Sequence, residues 1–255
     1  MARPGRVAIV TGGARGIGRA SSLALARHGF AIAVVDVRDE PMARTVEEIR
    51  ALGVEARGFL ADTADHRLAH ALARQIAAEW GRIDVLFNNA AMPQTKRILE
   101  ITEEEWDRET DVNLKGYFNW AQAVAPVMMA QASPGRLGGR MIMTSSVSAH
   151  TGPSTHAVSR FAYSASKAGV LGLVRGLARE LAPAVAVNAI CPGAIDTERT
   201  HDTFAPHLER IVATTPLGRV GTPEDIAVVV AFLATMEPCF MTGEVIDVDG
   251  GANIN

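Results

Sequence analysis

Short, unbroken apolar runs alternate along the chain with longer stretches in which apolar positions recur at helical spacing. The runs at 7–11, 31–36, 54–60 and 83–88, rich in Val, Ile and Phe, are followed by three more at 140–145, 185–190 and 244–248. The stretches 17–28, 41–52, 66–80, 113–131, 161–181 and 223–235 carry the helical period instead. Strands that are apolar throughout need cover on both faces, and strands separated by helices pair in parallel through right-handed crossovers. The pattern predicts an α/β fold: a single doubly wound domain over 1–255, with a seven-stranded, mainly parallel sheet and helices on both faces. Gly and Pro at 133–139 read as a surface loop before the fifth strand. No repeat or linker-like stretch divides the chain.

Composition narrows the function classes. With 48% hydrophobic and 21% charged residues, the 255-residue chain can bury a large core and is too apolar for disorder. A formal charge of −3 and the lack of any basic block speak against nucleic acid as a partner. The longest apolar run, around 226–234, falls well short of the ~20 residues that span a bilayer, so no membrane partner is expected. Met1-Ala2-Arg3-Pro4-Gly5 leads straight into the first strand and does not read as a signal peptide. Two cysteines, Cys191 and Cys239, cannot build a disulfide framework and suit a reducing compartment. The expectation is a cytoplasmic protein without a metal centre.

The chemistry starts at the end of the first strand, where Thr11-Gly12-Gly13-Ala14-Arg15-Gly16-Ile17-Gly18 leads into a helix. Glycines permit a tight turn and close backbone approach to a pyrophosphate, which the helix N-terminus then attracts. Many Gly-rich turns do nothing of the kind, and the spacing here departs from Gly-x-Gly-x-x-Gly; the placement between strand one and helix one makes the case. Asp36 ends the second strand, where a carboxylate can accept hydrogen bonds from both hydroxyls of an adenosine ribose. It repels a 2′-phosphate by roughly 4 kcal/mol, for unit charges ~4 Å apart at an effective dielectric of ~20. Arg15 and Arg38 act in the opposite sense, since either can pair with that phosphate. Asp36 holds the more decisive position, so NAD is favoured over NADP. Asp62 and Thr63, at the end of strand three, can contact the adenine or simply cap a turn. Asn89 and Ala90 follow strand four along the same carboxyl edge of the sheet, where cofactors of open α/β sheets lie.

Tyr163-Ser164-Ala165-Ser166-Lys167 begins a long helical stretch and sets a phenol and an ammonium on one helix face. The chain has only two tyrosines and three lysines, so this spacing is rarely met by chance. A neighbouring ammonium lowers a phenol's pKa from ~10 towards neutrality, which makes a usable acid–base group. A packed Tyr beside a snorkelling Lys is the plain alternative.

Taken together, Thr11–Gly18, the Asn88-Asn89-Ala90 run, Tyr163/Lys167 and Cys191-Pro192-Gly193 resemble the short-chain dehydrogenase/reductase family in its form of about 250 residues, a Rossmann-like fold. The resemblance extends from the first strand to Val248-Asp249-Gly250-Gly251. It implies that Tyr163 is the general base in oxidation and the acid in reduction, and that Lys167 lowers its pKa and holds the nicotinamide ribose. It implies that Ser146 hydrogen-bonds the substrate oxygen and that Asn113 holds a water linking Lys167 to solvent. Pro192, Gly193, Ile195 and Thr197 then correspond to the segment that grips the nicotinamide. A homotetramer built on the helices from Asn113 and Phe161 is a further implication.

Two positions depart from the family pattern. The 17 residues from Ser146 to Tyr163 are a longer gap than usual, so Ser145 or Ser148 can also be the reacting serine, although Ser146 fits best. The added residues at 150–160 form a loop at the mouth of the site; His150, His156 and Arg160 lie there, and His156 is a substrate-binding candidate. Ala91 stands where the family usually has glycine. The predicted activity is hydride transfer between NAD and a secondary alcohol or ketone, with 196–216 as the substrate segment. Its polar make-up suits a small polar substrate such as a sugar or polyol. The alternative is an NADPH-dependent 3-oxoacyl-[acyl-carrier-protein] reductase. Against it stand Asp36 and Leu181-Ala182-Pro183-Ala184, which has no basic residue where a docking patch for an acidic carrier is expected. A dinucleotide-binding regulator without turnover is the remaining class.

Overall fold

The computed structural model describes residues 4–153 and 159–254. Its strands are β1 (Val7–Thr11), β2 (Ala31–Asp36), β3 (Ala56–Leu60), β4 (Val85–Asn88), β5 (Gly139–Thr144), β6 (Val185–Pro192) and β7 (Val245–Val248). They form one sheet in the order β3-β2-β1-β4-β5-β6-β7, every pairing parallel. The helices are α1 (Gly16–Arg27), α2 (Asp39–Arg50), α3 (His66–Trp80), α4 (Glu103–Thr110) and α5 (Gly116–Gln131). After these come α6 (Ser148–Thr151), α7 (Phe161–Glu180), α8 (His201–Phe204), α9 (Leu208–Thr214) and α10 (Pro223–Thr235).

Successive residues of a strand point to opposite faces, so an all-apolar strand builds two cores at once. Val7 and Ile9 of β1 join one buried cluster with Ile76 of α3, Trp120 of α5 and Val170 of α7. Ala8 and Val10 join the other, with Leu25 of α1, Ile49 of α2 and Val230 of α10. The strand order reverses between β1 and β4, which opens a crevice at the carboxyl end of the sheet.

The predicted strands and main helices are present, with informative differences at their edges. The sheet is wholly parallel. α4 is absent from the apolar pattern because Glu103–Thr110 holds Trp106 as its only large apolar residue. It is specified instead by a capping box, in which Thr102 and Glu105 each bond the other's backbone N–H. The helix expected from 113 starts at Gly116, after a π turn at Asp111–Lys115. The segment at 196–216, expected to face the substrate, contains α8, a 3₁₀ turn at Ala205–His207 and α9. Among the described residues, no helix is long and apolar enough to cross a membrane.

Candidate active site

The glycine turn after β1 is shaped by two different steric demands. Gly12 and Gly16 have φ of 63° and 52°, which side-chain-bearing residues adopt at a cost. At Gly18 a Cβ would lie 2.0 Å from the Gly12 carbonyl oxygen. The turn delivers the N-terminus of α1 to the crevice between β1 and β4. Asp65, Thr102 and Thr222 cap α3, α4 and α10, but α1 has no side-chain cap and no acidic residue in its first turn. Its leading N–H groups and positive dipole end are therefore available to a cleft of about 460 Å³ lined by Gly12, Arg15, Gly16 and Ile17. An anionic pyrophosphate fits that set of donors.

The ends of β2, β3 and β4 complete the cleft. Asp36 lines it, and its carboxylate accepts hydrogen bonds from the N–H groups of Ala14 (3.0 Å) and Arg38 (3.1 Å), which also braces the glycine turn. Arg15 and Arg38 flank it; burial, together with the charges of Arg38 and Arg199, holds the Arg15 guanidinium below its ordinary pKa. Asp62 and Thr63 reach the cleft, and the turn-capping alternative is realised too. Asp62 accepts from the Ala64 N–H at 3.0 Å and pairs with Arg108 at 2.7 Å. Asn89 and Ala90 both donate their N–H groups to Thr11 Oγ1, at 2.9 and 3.2 Å, and so hold the turn against β4. Ala91 also lines the cleft, and since no described non-glycine residue has a positive φ, its methyl group brings no backbone strain.

The segment after β6 divides. Thr197 lines the cleft, whereas Pro192, Gly193 and Ile195 do not. Pro192 ends the strand opposite Val248, the Gly193 N–H donates to the Val248 carbonyl at 3.1 Å, and Ile195 is buried in the layer of α1 and α10.

Tyr163 and Lys167 share one face of α7, with the ammonium nitrogen 5.7 Å from the Tyr163 ring centre. The ammonium's hydrogen bonds go elsewhere. Lys167 Nζ donates to the Tyr117 hydroxyl (2.9 Å) and the Thr144 carbonyl (2.8 Å), and Tyr117 donates to that same carbonyl at 3.0 Å. Lys167 is wholly buried, and loss of hydration, helped by the charge of Arg199, lowers its pKa to about 7. Burial pushes the Tyr163 phenol up, and Arg199 opposes that shift. Desolvation of Tyr163 thus works against the fall towards neutrality expected from Lys167, whose ammonium is bonded to Tyr117 and Thr144.

The serine ambiguity is narrowed by hydrogen bonding. Ser145 is buried and donates to the Lys167 carbonyl at 2.8 Å, so its hydroxyl ties β5 to α7. Ser146 accepts from both the N–H (3.2 Å) and the hydroxyl (2.9 Å) of Ser148, which leaves its own proton to donate. Asn113 sits in the π turn with its amide engaged: it accepts from the Met92 N–H and donates to the Met92 carbonyl, both at 2.9 Å, and donates to Glu109. His156 lies outside the described residues.

Two further residues, Tyr117 and Glu109, escaped the sequence reading, and Arg199 was read only as part of the polar segment at 196–216. Tyr117 is the other tyrosine, four residues after Asn113, and that spacing on one helix was a usable signal. Glu109 is wholly buried, accepts from Ser166 Oγ at 2.8 Å as well as from Asn113, and has its pKa raised by burial. Arg199 lines the cleft, donates to the Ala91 carbonyl at 3.2 Å and exerts its charge on both Tyr163 and Lys167, which links the cleft to these two residues. No local pattern announces the last two. Cys191 is buried, and loss of hydration pushes its thiol up to about 11, which keeps the free thiol protonated at neutral pH.

Among known proteins, the family described as enoyl-(acyl carrier protein) reductase matches residues 12–253. A 3-oxoacyl-[acyl-carrier-protein] reductase of Thermotoga maritima is 36% identical over 252 residues, covering 98% of this chain and 99% of that protein. One from Staphylococcus aureus is 40% identical over 247 residues, 96% of each. The solved structure of a short-chain type dehydrogenase/reductase from Mycobacterium marinum aligns with a TM-score of 0.90 at 32% identity, covering 99% of this chain and 97% of that one.

Proposed function

Because the chain belongs to the short-chain dehydrogenase/reductase family, and is thus an oxidoreductase of carbonyl and CH–OH groups, we propose that it interconverts a secondary alcohol and a ketone with NAD as cofactor. The observation that carries this is the buried Lys167 beside Tyr163, both within reach of the charge of Arg199, which lines the cleft that the uncapped N-terminus of α1 faces. In this reading Gly12, Gly16, Ile17 and Gly18 hold the pyrophosphate, Asp36 the adenosine ribose, and Asp62 and Thr63 the adenine. Lys167 and Thr197 serve the nicotinamide end. When bound, the nicotinamide supplies or takes the hydride at the substrate carbon. Ser146 donates a hydrogen bond to the substrate oxygen and stabilises the charge that develops there. Tyr163 gives its hydroxyl proton to that oxygen in reduction and takes it back in oxidation. Lys167, when charged, favours the phenolate and eases the loss of that proton.

The pH dependence follows from the raised Tyr163 pKa. Reduction needs the protonated phenol, which persists throughout the neutral range. Oxidation needs the phenolate, whose fraction grows roughly tenfold per pH unit below the pKa. Oxidative kcat/KM is therefore expected to climb steeply between about pH 7 and 9, while the reductive value changes far less. Rate profiles in both directions check this, and a flat oxidative profile would exclude Tyr163 as the base.

The nucleotide preference rests on Asp36. Asp36→Ala is expected to weaken NAD by roughly tenfold or more, the worth of a charge-assisted hydrogen bond, and to admit NADP, which Arg15 and Arg38 can then pair with. KM values for both nucleotides measure the shift; an unchanged preference overturns the NAD reading.

For the substrate, the polar segment at 196–216 favours a small polar alcohol or ketone. The second reading, a 3-oxoacyl thioester on an acidic carrier with NADPH, gains support from the names of the relatives and from one structural detail. Residues 181–184 lack a basic side chain, but Arg175 and Arg179 are exposed on the last two turns of α7. Nicotinamide absorbance, followed with each nucleotide against sugars, polyols and 3-oxoacyl thioesters, separates the readings. Turnover of thioesters with NADPH alone selects the second; binding without any turnover selects a regulator. In the first reading the enzyme works in the cytoplasm as a homotetramer. Exposed Ala165, Ala168, Gly172 and Gly176 along α7 allow a second copy's helix to approach closely.

A further inference from the structure

Beyond the cleft, one cluster joins three parts of the chain that the proposed reaction does not use. β6 and β7 pair with Cys191 opposite Asp247, so the two side chains emerge as neighbours on one face of the sheet. α6 lays His150 over them. The same imidazole nitrogen, Nε2, lies 3.6 Å from the Cys191 sulfur and 3.4 Å from Asp247 Oδ1. The three candidate ligand atoms all fall within 4.8 Å of one another. With Zn–S of about 2.3 Å and Zn–N and Zn–O of about 2.0 Å, a tetrahedral ion spaces nitrogen from sulfur by roughly 3.5 Å and nitrogen from oxygen by roughly 3.3 Å. The two measured separations are already close to those edges.

We propose that His150, Cys191 and Asp247 form a binding site for a thiophilic divalent cation, of which zinc is the natural probe. One thiolate, one imidazole and one carboxylate are the ligands zinc and cobalt accept; a site with a single carboxylate is a poor match for magnesium or calcium. On entry the S–H bond of Cys191 breaks, its proton passes to solvent and a metal–sulfur bond forms, with water in the fourth position. His150 and Asp247 side chains are each 20% exposed, so the ion has a path from solvent. The site also has leverage on the chemistry. α6 carries Ser148, whose hydroxyl bonds Ser146, and Cys191 directly precedes Pro192 and Gly193. A bound ion fastens the turn that presents the reacting serine to the edge of the sheet.

The test is cobalt titration of the full-length, reduced, chelator-treated protein. The expected result is one cobalt per chain, with a thiolate-to-cobalt charge-transfer band and tetrahedral visible bands that zinc abolishes. Cys191→Ser should lose the charge-transfer band. His150→Ala, a change outside the core, should weaken cobalt binding at least about tenfold, while Cys239→Ser should leave it intact. No thiolate band, a band that persists in Cys191→Ser, indifference to His150→Ala, or dependence on Cys239 would each overturn the proposal.

Discussion

Tyr163→Phe is expected to reduce turnover by about 10²–10⁴-fold, the usual worth of a positioned acid or base, while nucleotide affinity stays nearly unchanged. The ring remains to fill its place on α7, so only the exchangeable proton is lost. Lys167 makes its two hydrogen bonds to Tyr117 and Thr144, not to Tyr163, so the variant disturbs neither the ammonium nor the strand end that holds it. Steady-state rates and direct titration with nucleotide separate the two effects. A kcat within tenfold of the parent would remove Tyr163 from its role. A large loss of nucleotide affinity would mean that the hydroxyl serves binding instead.

Lys167→Met should abolish turnover to a similar extent and at the same time make the folded chain more stable. A wholly buried ammonium pays for its loss of hydration, which is why its pKa falls to about 7 from the ordinary 10.5. Replacing a buried charge with an apolar side chain of similar volume is commonly neutral or stabilising, by about 1–4 kcal/mol. Little is orphaned here, because Tyr117 keeps its own donation to the Thr144 carbonyl. The sign of the pH effect is fixed by the lowered pKa. Between the folded value near 7 and the unfolded value of 10.5, the unfolded chain binds more protons, so stability rises with pH across that window. Below it the full penalty applies. Denaturant unfolding at neutral and alkaline pH should show the parent gaining on the variant as the pH rises. A variant less stable than the parent at pH 7 would mean that the ammonium's hydrogen bonds outweigh its desolvation.

Legibility in the sequence followed the range of the interaction. β1 and β2 were readable to the residue because continuous Val, Ile and Ala runs have no other stable environment. α4 was missed because its apolar face is nearly empty and its stability comes from capping, a signal carried by Thr102 and Glu105 and not by periodicity. The cleft residues from Gly12 to Asp36 were legible because the order β1–turn–α1–β2 brings them together through local geometry alone. The packing of the Ile195 side chain into the α1 and α10 layer was not legible, because the side on which a loop residue falls is settled by what packs against it.

The amino-acid order on its own determined the wound α/β architecture, the glycine turn that leads into α1, and the helical spacing that sets Tyr163 and Lys167 on one face. All of these depend on backbone conformation and on neighbours a few residues apart. Tertiary packing alone decided where the ammonium makes its hydrogen bonds, which serine keeps a proton to donate, and that Arg199 reaches the site. Tyr117, Thr144 and Lys167 come from α5, β5 and α7, and their meeting depends on how those elements stack. Desolvation and long-range charge, which set the pKa values of Lys167 and Tyr163, exist only once that stacking has excluded water.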